Sequence, residues 1–235
     1  MGVALAALAG FLAGALLPNP VYRYAVPADQ EPRTMCDHCG RSLAWRSHCP
    51  QCAHAWGPPW WATALVAGAA AAALVWAVGP TPELPLYVAL AVYGTGLGAV
   101  DLICHRLPTM LVYAGLAVGL LGFTAVAAGT GEWGALGRAV LGSAALAAVF
   151  LALYLVPGQN LGFGDVRLAG LLGLFLGWLG WPAVIWGALL PWLVNAPVTL
   201  GLLLARRVHR KSRLPFGPAM LAGAVLATLV AALRV

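Results

Sequence analysis

Charge is what this chain has least of. Only 9% of its 235 residues are charged, where soluble domains carry about 25%. Acids are scarcer still: Asp29, Glu31, Asp37, Glu83, Asp101, Glu132 and Asp165 complete the set. Segments of alternating polar and apolar residues are missing, which argues against a sheet and for helices as the way to satisfy the backbone in lipid. No glycine-rich nucleotide loop is visible. What fills the chain is apolar: 62% hydrophobic residues, in Ala/Leu/Val/Gly runs of about twenty, the length that crosses a bilayer. A water-soluble core is thereby excluded. The expected fold is all-α: a polytopic integral membrane protein of about eight transmembrane helices with a small cytosolic Cys-rich loop.

The spans are expected near 2–17, 61–79, 85–103, 108–128, 136–156, 165–178, 181–205 and 217–234. The first lacks a basic flank and a small-x-small site after it, so it reads as a retained span rather than a cleaved signal. Only Gly180 separates the sixth from the seventh, which requires a tight turn or a re-entrant geometry. Three units follow: 1–17, a first transmembrane helix; 18–60, a cytosolic tetracysteine loop; and 61–235, a transmembrane core.

The formal charge of +6 is not a nucleic-acid stripe, because Lys and Arg sit in loops between spans. The expected surroundings are the lipid bilayer, with no nucleic acid. All basic residues except Arg138 and Arg234 fall on one side of an eight-span arrangement. The positive-inside rule makes that side cytosolic and puts the N-terminus outside, in the cell inner (cytoplasmic) membrane. Asp101 then ends an inward-running helix and Asp165 starts an outward-running one, so both lie near the cytosolic interface.

Ionisable groups at a span end are costly unless they work or are paired. Two aspartates held close share a proton; one acts as general base on water while the other donates to a scissile carbonyl. Which of them carries the proton is open. The plainer alternatives are that Asp165 caps its helix and that Asp101 pairs with Arg106. Gly162 and Gly164, before Asp165, lack a Cβ and so permit unusual dihedrals and close backbone approach, suiting an extended substrate. Pro215, Phe216 and Gly217, followed by Pro218, make an ordered approach to the last span and are expected to bind substrate with Gly162 and Gly164; the plainer alternative is a helix start with Pro in its first turn. Cys36, Cys39, Cys49 and Cys52 form two Cys-x-x-Cys units with zinc-knuckle spacing, able to staple a loop too small for its own core. His38, His48 and His54 are nearby substitutes. Cys104 reads as a packed residue and His105 as an interfacial one.

In this order, Asp101 with His105-Arg106-Leu107-Pro108, Gly162-Phe163-Gly164-Asp165-Val166-Arg167 and Pro215-Phe216-Gly217-Pro218 resemble the type IV prepilin leader peptidases, membrane aspartic proteases with a GxGD signature. Gly10-Phe11-Leu12 with Tyr22-Arg23 is a looser echo of that family's first span, and the tetracysteine loop also fits. The resemblance implies that the 61–235 unit is a peptidase core with Asp101 and Asp165 as its catalytic pair. It also implies a substrate, a prepilin or pseudopilin of a type IV pilus or type II secretion system, cleaved after a glycine at the cytosolic face. Structural Zn2+ in the cysteine loop fits it too. Two departures concern the methyltransferase activity of some members: the Cys pairs here are closer together, and Gly-Ser-Phe-Leu-Asn is unmatched. N-methylation, and with it S-adenosylmethionine, stays open, as does the oligomeric state. Three rivals remain. Presenilin-like proteases expect a Tyr before the first Asp and a late Pro-Ala-Leu, absent here. An ion- or proton-coupled transporter would use the two aspartates, usually at mid-membrane. A zinc-knuckle scaffold would have no chemistry.

Overall fold

The computed structural model describes residues 2–27, 30–44, 47–156, 161–205 and 215–233. Among them are nine helices: α1 Gly2–Gly14, α2 Pro18–Tyr24, α3 Trp60–Val78, α4 Leu84–Cys104, α5 Thr109–Thr130, α6 Trp133–Tyr154, α7 Phe163–Leu179, α8 Trp181–Leu204 and α9 Gly217–Ala232. No strand occurs among these residues, only two isolated bridges in the cysteine loop. The fold is all-helical, as composition requires. Of the basic residues used for topology, Arg46, Arg206, Arg207, Arg210, Lys211, Arg213 and Arg234 lie outside the described residues, as do Asp29 and Leu214.

Each expected span has its helix, but not all are long. Five, α3, α4, α5, α6 and the Trp181–Gly201 stretch of α8, are long and apolar enough to cross a bilayer, and the bent pair α1 and α2 makes a sixth if it is one broken span. Within the first expected span, 2–17, the helix is shorter than the span. The helix stops at Gly14 and restarts at Pro18 with a 49° bend. Pro18 cannot donate to the preceding turn, so the break falls there. At the other turn, Gly180 takes φ 135° between α7 and α8, a backbone conformation open to glycine.

α7 has 17 residues and α9 has 16. Shortness goes with position: every residue of α7 from Leu168 to Trp178 is buried. A helix apolar all round belongs in a core, and the others wrap it. Small residues let α6 approach it. A Cβ on Gly173 would lie 2.5 Å from the Gly142 carbonyl oxygen, and one on Gly177 2.6 Å from that of Arg138. Backbone cannot yield as a side-chain tip does, so this is the close helix contact that small residues make possible in membranes. Ser143 Oγ adds a 2.7 Å hydrogen bond to Gly170 O. Gly173→Val should therefore destabilise the bundle by about 3 kcal/mol or more. Thermal unfolding in detergent measures it, and an unchanged melt would contradict this packing.

Deeper along α7, Tyr87 Oη donates to Phe175 O at 2.8 Å, and Phe123 stacks on Trp178 at 4.6 Å between centroids. The result is a rigid centre on which α7 presents its first turn to the site.

Candidate active site and cysteine cluster

Asp101 sits in the last turn of α4 and Asp165 in the first turn of α7; both are buried, at 4% and 8% exposure. They come from separate helices, and the loop leaving α4 sets Leu107 against Gly164, the residue before Asp165.

Their hydrogen bonds differ. Helix α9 starts at Gly217, where the first amides have no partner within the helix. The Gly217 N–H donates to Asp101 Oδ2 at 2.9 Å, bridging 116 positions of sequence. A Cβ on Gly217 would lie 2.7 Å from the same oxygen, so the residue is glycine because a carboxylate occupies the space. Asp165 Oδ2 accepts from the Gly162 N–H at 2.9 Å, and its own N–H donates to Gly162 O at 3.0 Å. Asp165 thus does cap its helix, as the plainer alternative held. The Asp101–Arg106 pairing is not seen among the described residues; the Arg106 guanidinium turns to Val26 O at 3.4 Å.

The signature glycines depart from expectation in one respect. Gly162 has φ −83° and ψ 149°, and neither glycine has a positive φ, so unusual dihedrals are not their reason. Gly164 serves close approach: its Cβ would lie 3.2 Å from Leu107 Cβ, on the loop leaving α4. Phe216 is buried against Trp192 at 4.8 Å, and half-buried Pro215 precedes it without helical structure. His105 is exposed and closes α4 in the left-handed region, its N–H bonded to Asp101 O at 2.8 Å. Cys104 donates to Val100 O at 3.2 Å.

The sulfurs of Cys36, Cys39, Cys49 and Cys52 all lie within 4.8 Å of one another. Cys36 and Cys52 are 3.8 Å apart and Cys39 and Cys49 3.5 Å, close to the ~3.8 Å that Zn–S bonds of about 2.3 Å give in a tetrahedron. All four are free thiols. The two turns repeat one design: Gly40 N–H bonds Cys36 O and Ala53 N–H bonds Cys49 O, each at 2.9 Å, with φ 70° at Gly40 and 56° at Ala53. His38 and His54 stack on each other at 5.8 Å and are not part of the cluster.

The loop was expected to have no core of its own; it has a small one. Trp56 is wholly buried and stacks on Tyr22 of α2 at 6.2 Å, beside Cys36 and Cys49. Sequence reading missed this pair, and also Asn19, buried in α2 with its amide on Ala44 O, and Arg33, which bonds Tyr22 O and Ala25 O at 2.8 and 2.6 Å. The signal was a cluster of aromatic and polar residues next to an apolar span, but nothing local said they fold inward. The Trp56 Nε1–H is buried and meets no partner at hydrogen-bonding geometry. It nonetheless draws the Cys36 thiol down to about 6, against the opposing effect of burial.

Compared with known proteins, the chain is 31% identical over 213 residues to the prepilin leader peptidase/N-methyltransferase of Burkholderia pseudomallei, strains 1026b and K96243, a match covering 82% of this chain and 65% of theirs. It is 35% identical over 122 residues to the protein of that name from Aeromonas hydrophila, covering 50% of this chain and 38% of that one. The chain thus spans somewhat less than two thirds of the length of the curated relatives it matches. No family model matches it, nor does any solved structure. Over 82% of its length the chain is thus similar to prepilin leader peptidases.

Proposed function

We propose that the protein is a membrane aspartic endopeptidase that removes the leader of prepilins or pseudopilins at the cytosolic membrane face, with Asp101 and Asp165 as its catalytic pair. The observation that carries this reading is that two buried acids stand at helix ends, Asp101 in the last turn of α4 and Asp165 in the first turn of α7, with the two ends brought together where Leu107 packs on Gly164. One carboxylate takes a proton from water. The other, protonated, donates to the scissile carbonyl oxygen as the water oxygen bonds to carbon. The tetrahedral gem-diol then returns a hydroxyl proton to the pair as its C–N bond breaks, and the leaving amine takes a proton from the pair. The Gly217 and Gly162 amides orient one oxygen of each acid, leaving Pro215, Phe216, Gly162 and Gly164 to border the substrate. Beside Asp101, an apolar cavity of about 520 Å3 lined in part by Gly98, Leu102 and Pro218 gives the substrate's apolar segment room to lie. Cleavage of a peptide with a basic leader, a glycine and an apolar stretch, by the protein in vesicles, tests the reading against a transporter, which would give ion flux without proteolysis.

The relatives' names also include N-methyltransferase. Transfer of the S-adenosylmethionine methyl group to the new N-terminus is tested by radiolabel on the cleaved product. In our reading the protein lies in the inner membrane with residues 18–60 forming a cytosolic unit and 61–235 the peptidase core.

We assign the cysteine cluster to structural zinc. The sulfur spacings fit tetrahedral coordination, and a metal-bound thiolate at Cys36 offers the buried Trp56 N–H an acceptor. Zinc there would hold the two turns together and take no part in proteolysis. The purified protein should contain about one zinc per chain and Cys36→Ser/Cys49→Ser none, by metal analysis. An undiminished zinc content in that variant would refute this ligand set.

A further inference from the structure

Helices α4 and α7 carry the two acids but have few close backbone approaches to each other, whereas α5 packs along α7. One direct tie, Tyr87 to Phe175, lies about 21 Å along α4 from Asp101 at 1.5 Å per residue. Something nearer the site must hold the start of α7 against the end of α4. The loop between α4 and α5 is placed to do this. It leaves α4 through His105, packs Leu107 against Gly164, and delivers Thr109 as the first residue of α5.

Arg167, one turn into α7, reaches that point. Its Nη1 donates to Thr109 Oγ1, and its guanidinium lies over the Phe163 ring at 4.6 Å and the Tyr113 ring at 5.8 Å. Its Nε is buried without a partner among the described residues. A cation near the N-terminus of a helix opposes the helix dipole, and within α7 only the Phe163 ring offers it a contact. We propose that Arg167 is a positioning residue: bonded to Thr109 and sandwiched by Phe163 and Tyr113, it sets the register of α7 against the loop leaving α4, and so sets Asp165 against Asp101.

This inference rests on the peptidase reading of the two acids. It differs from the reading of Arg167 as a positive-inside charge alone, for which Thr109 would be irrelevant. The test measures cleavage of the same peptide by full-length protein in vesicles, per folded molecule, for Arg167→Gln, Arg167→Lys, Thr109→Val and the Arg167→Gln/Thr109→Val double variant. Misplacement of about 1 Å costs on the order of 100-fold in rate. We expect Arg167→Gln to lower kcat by about that factor with KM little changed, and Thr109→Val by about tenfold. The double variant should be no slower than Arg167→Gln, because both changes break one bond. Arg167→Lys, which keeps a donor, should recover about tenfold of the loss.

A purely structural role would lower the folded yield and leave kcat per folded molecule unchanged, which overturns the proposal. So would losses that multiply in the double variant, a loss confined to KM, or a Thr109→Val enzyme as fast as wild type. If Arg167→Gln does not fold, Thr109→Val alone decides by the same criterion. A wild-type protein that leaves the peptide whole removes the peptidase reading and this inference together. A wild type that cleaves, with Arg167→Gln cleaving equally, removes this inference alone.

Discussion

Asp101→Ala and Asp165→Ala should each lower the rate of prepilin-peptide cleavage by a factor on the order of 10^4 or more, and the double variant should be no slower than either. In the proposed mechanism the acids share one task, and neither alone supplies both a base for water and a donor to the carbonyl. Asp101→Ala also removes the acceptor of the buried Gly217 N–H, at a stability cost of about 1–3 kcal/mol, whereas the exposed Gly162 N–H that Asp165→Ala frees can turn to water. Asparagine separates the two effects. Asp101→Asn and Asp165→Asn each keep an oxygen for the amide but cannot take a proton from water, so they should fold like wild type and be as inactive as the alanine variants. A folded Asn variant that cleaves at the wild-type rate would remove that residue from the catalytic pair. Ion flux that depends on both acids, with no proteolysis, would favour the transporter reading.

The spans were legible because a bilayer imposes length and apolarity on any helix crossing it. The same property hid which helix lies at the centre. Lipid is as apolar as a protein interior, so a lipid-facing stripe and a buried one look alike in sequence. Nothing in Phe163–Leu179 announces that it is buried on nearly every side. The break before Pro18 was missed because hydropathy sums over residues and ignores the amide that proline lacks. The cysteine spacing was legible, since a metal knuckle is local chemistry. The Tyr22–Trp56 stack under it was not, because its partners lie on α2 and on the segment approaching α3.

At the site, each acid could be placed at a span end from sequence, but not what holds it. The Gly217–Asp101 bond joins the last helix to the fourth element across 116 positions, and no periodicity encodes such a contact. The resemblance drew attention to both GxGD glycines equally, while the geometry separates them. Gly162 has ordinary dihedrals, and Gly164 makes a close approach to Leu107. Glycine at Gly217 was read as part of a substrate-binding approach; the structure puts it against a catalytic candidate.

That difference yields the second large effect. Gly217→Ala should lower kcat by about 100-fold, although alanine is the smallest possible addition. Its Cβ would lie 2.7 Å from Asp101 Oδ2 and 3.3 Å from Asp101 Cβ, closer than carbon and oxygen pack, and the Asp101 side chain is buried with little room to turn. Either the carboxylate rotates off its amide or α9 slides outward, and both move the oxygen that must face water. Gly164→Ala should be milder, since its Cβ would meet Leu107 Cβ at 3.2 Å, a contact the loop relieves by shifting a few tenths of an ångström. Gly162→Ala should be mildest: its nearest contact would be Asp165 Oδ2 at 3.4 Å, with a backbone already in the extended region that any residue adopts. The expected order of loss is therefore Gly217, then Gly164, then Gly162, opposite to the emphasis of the GxGD signature. Cleavage rates of the three alanine variants, each normalised to folded protein, decide it. If Gly162→Ala is the slowest, that glycine contacts the substrate itself, and the space beside Asp101 is less tightly filled than the Gly217 contact implies.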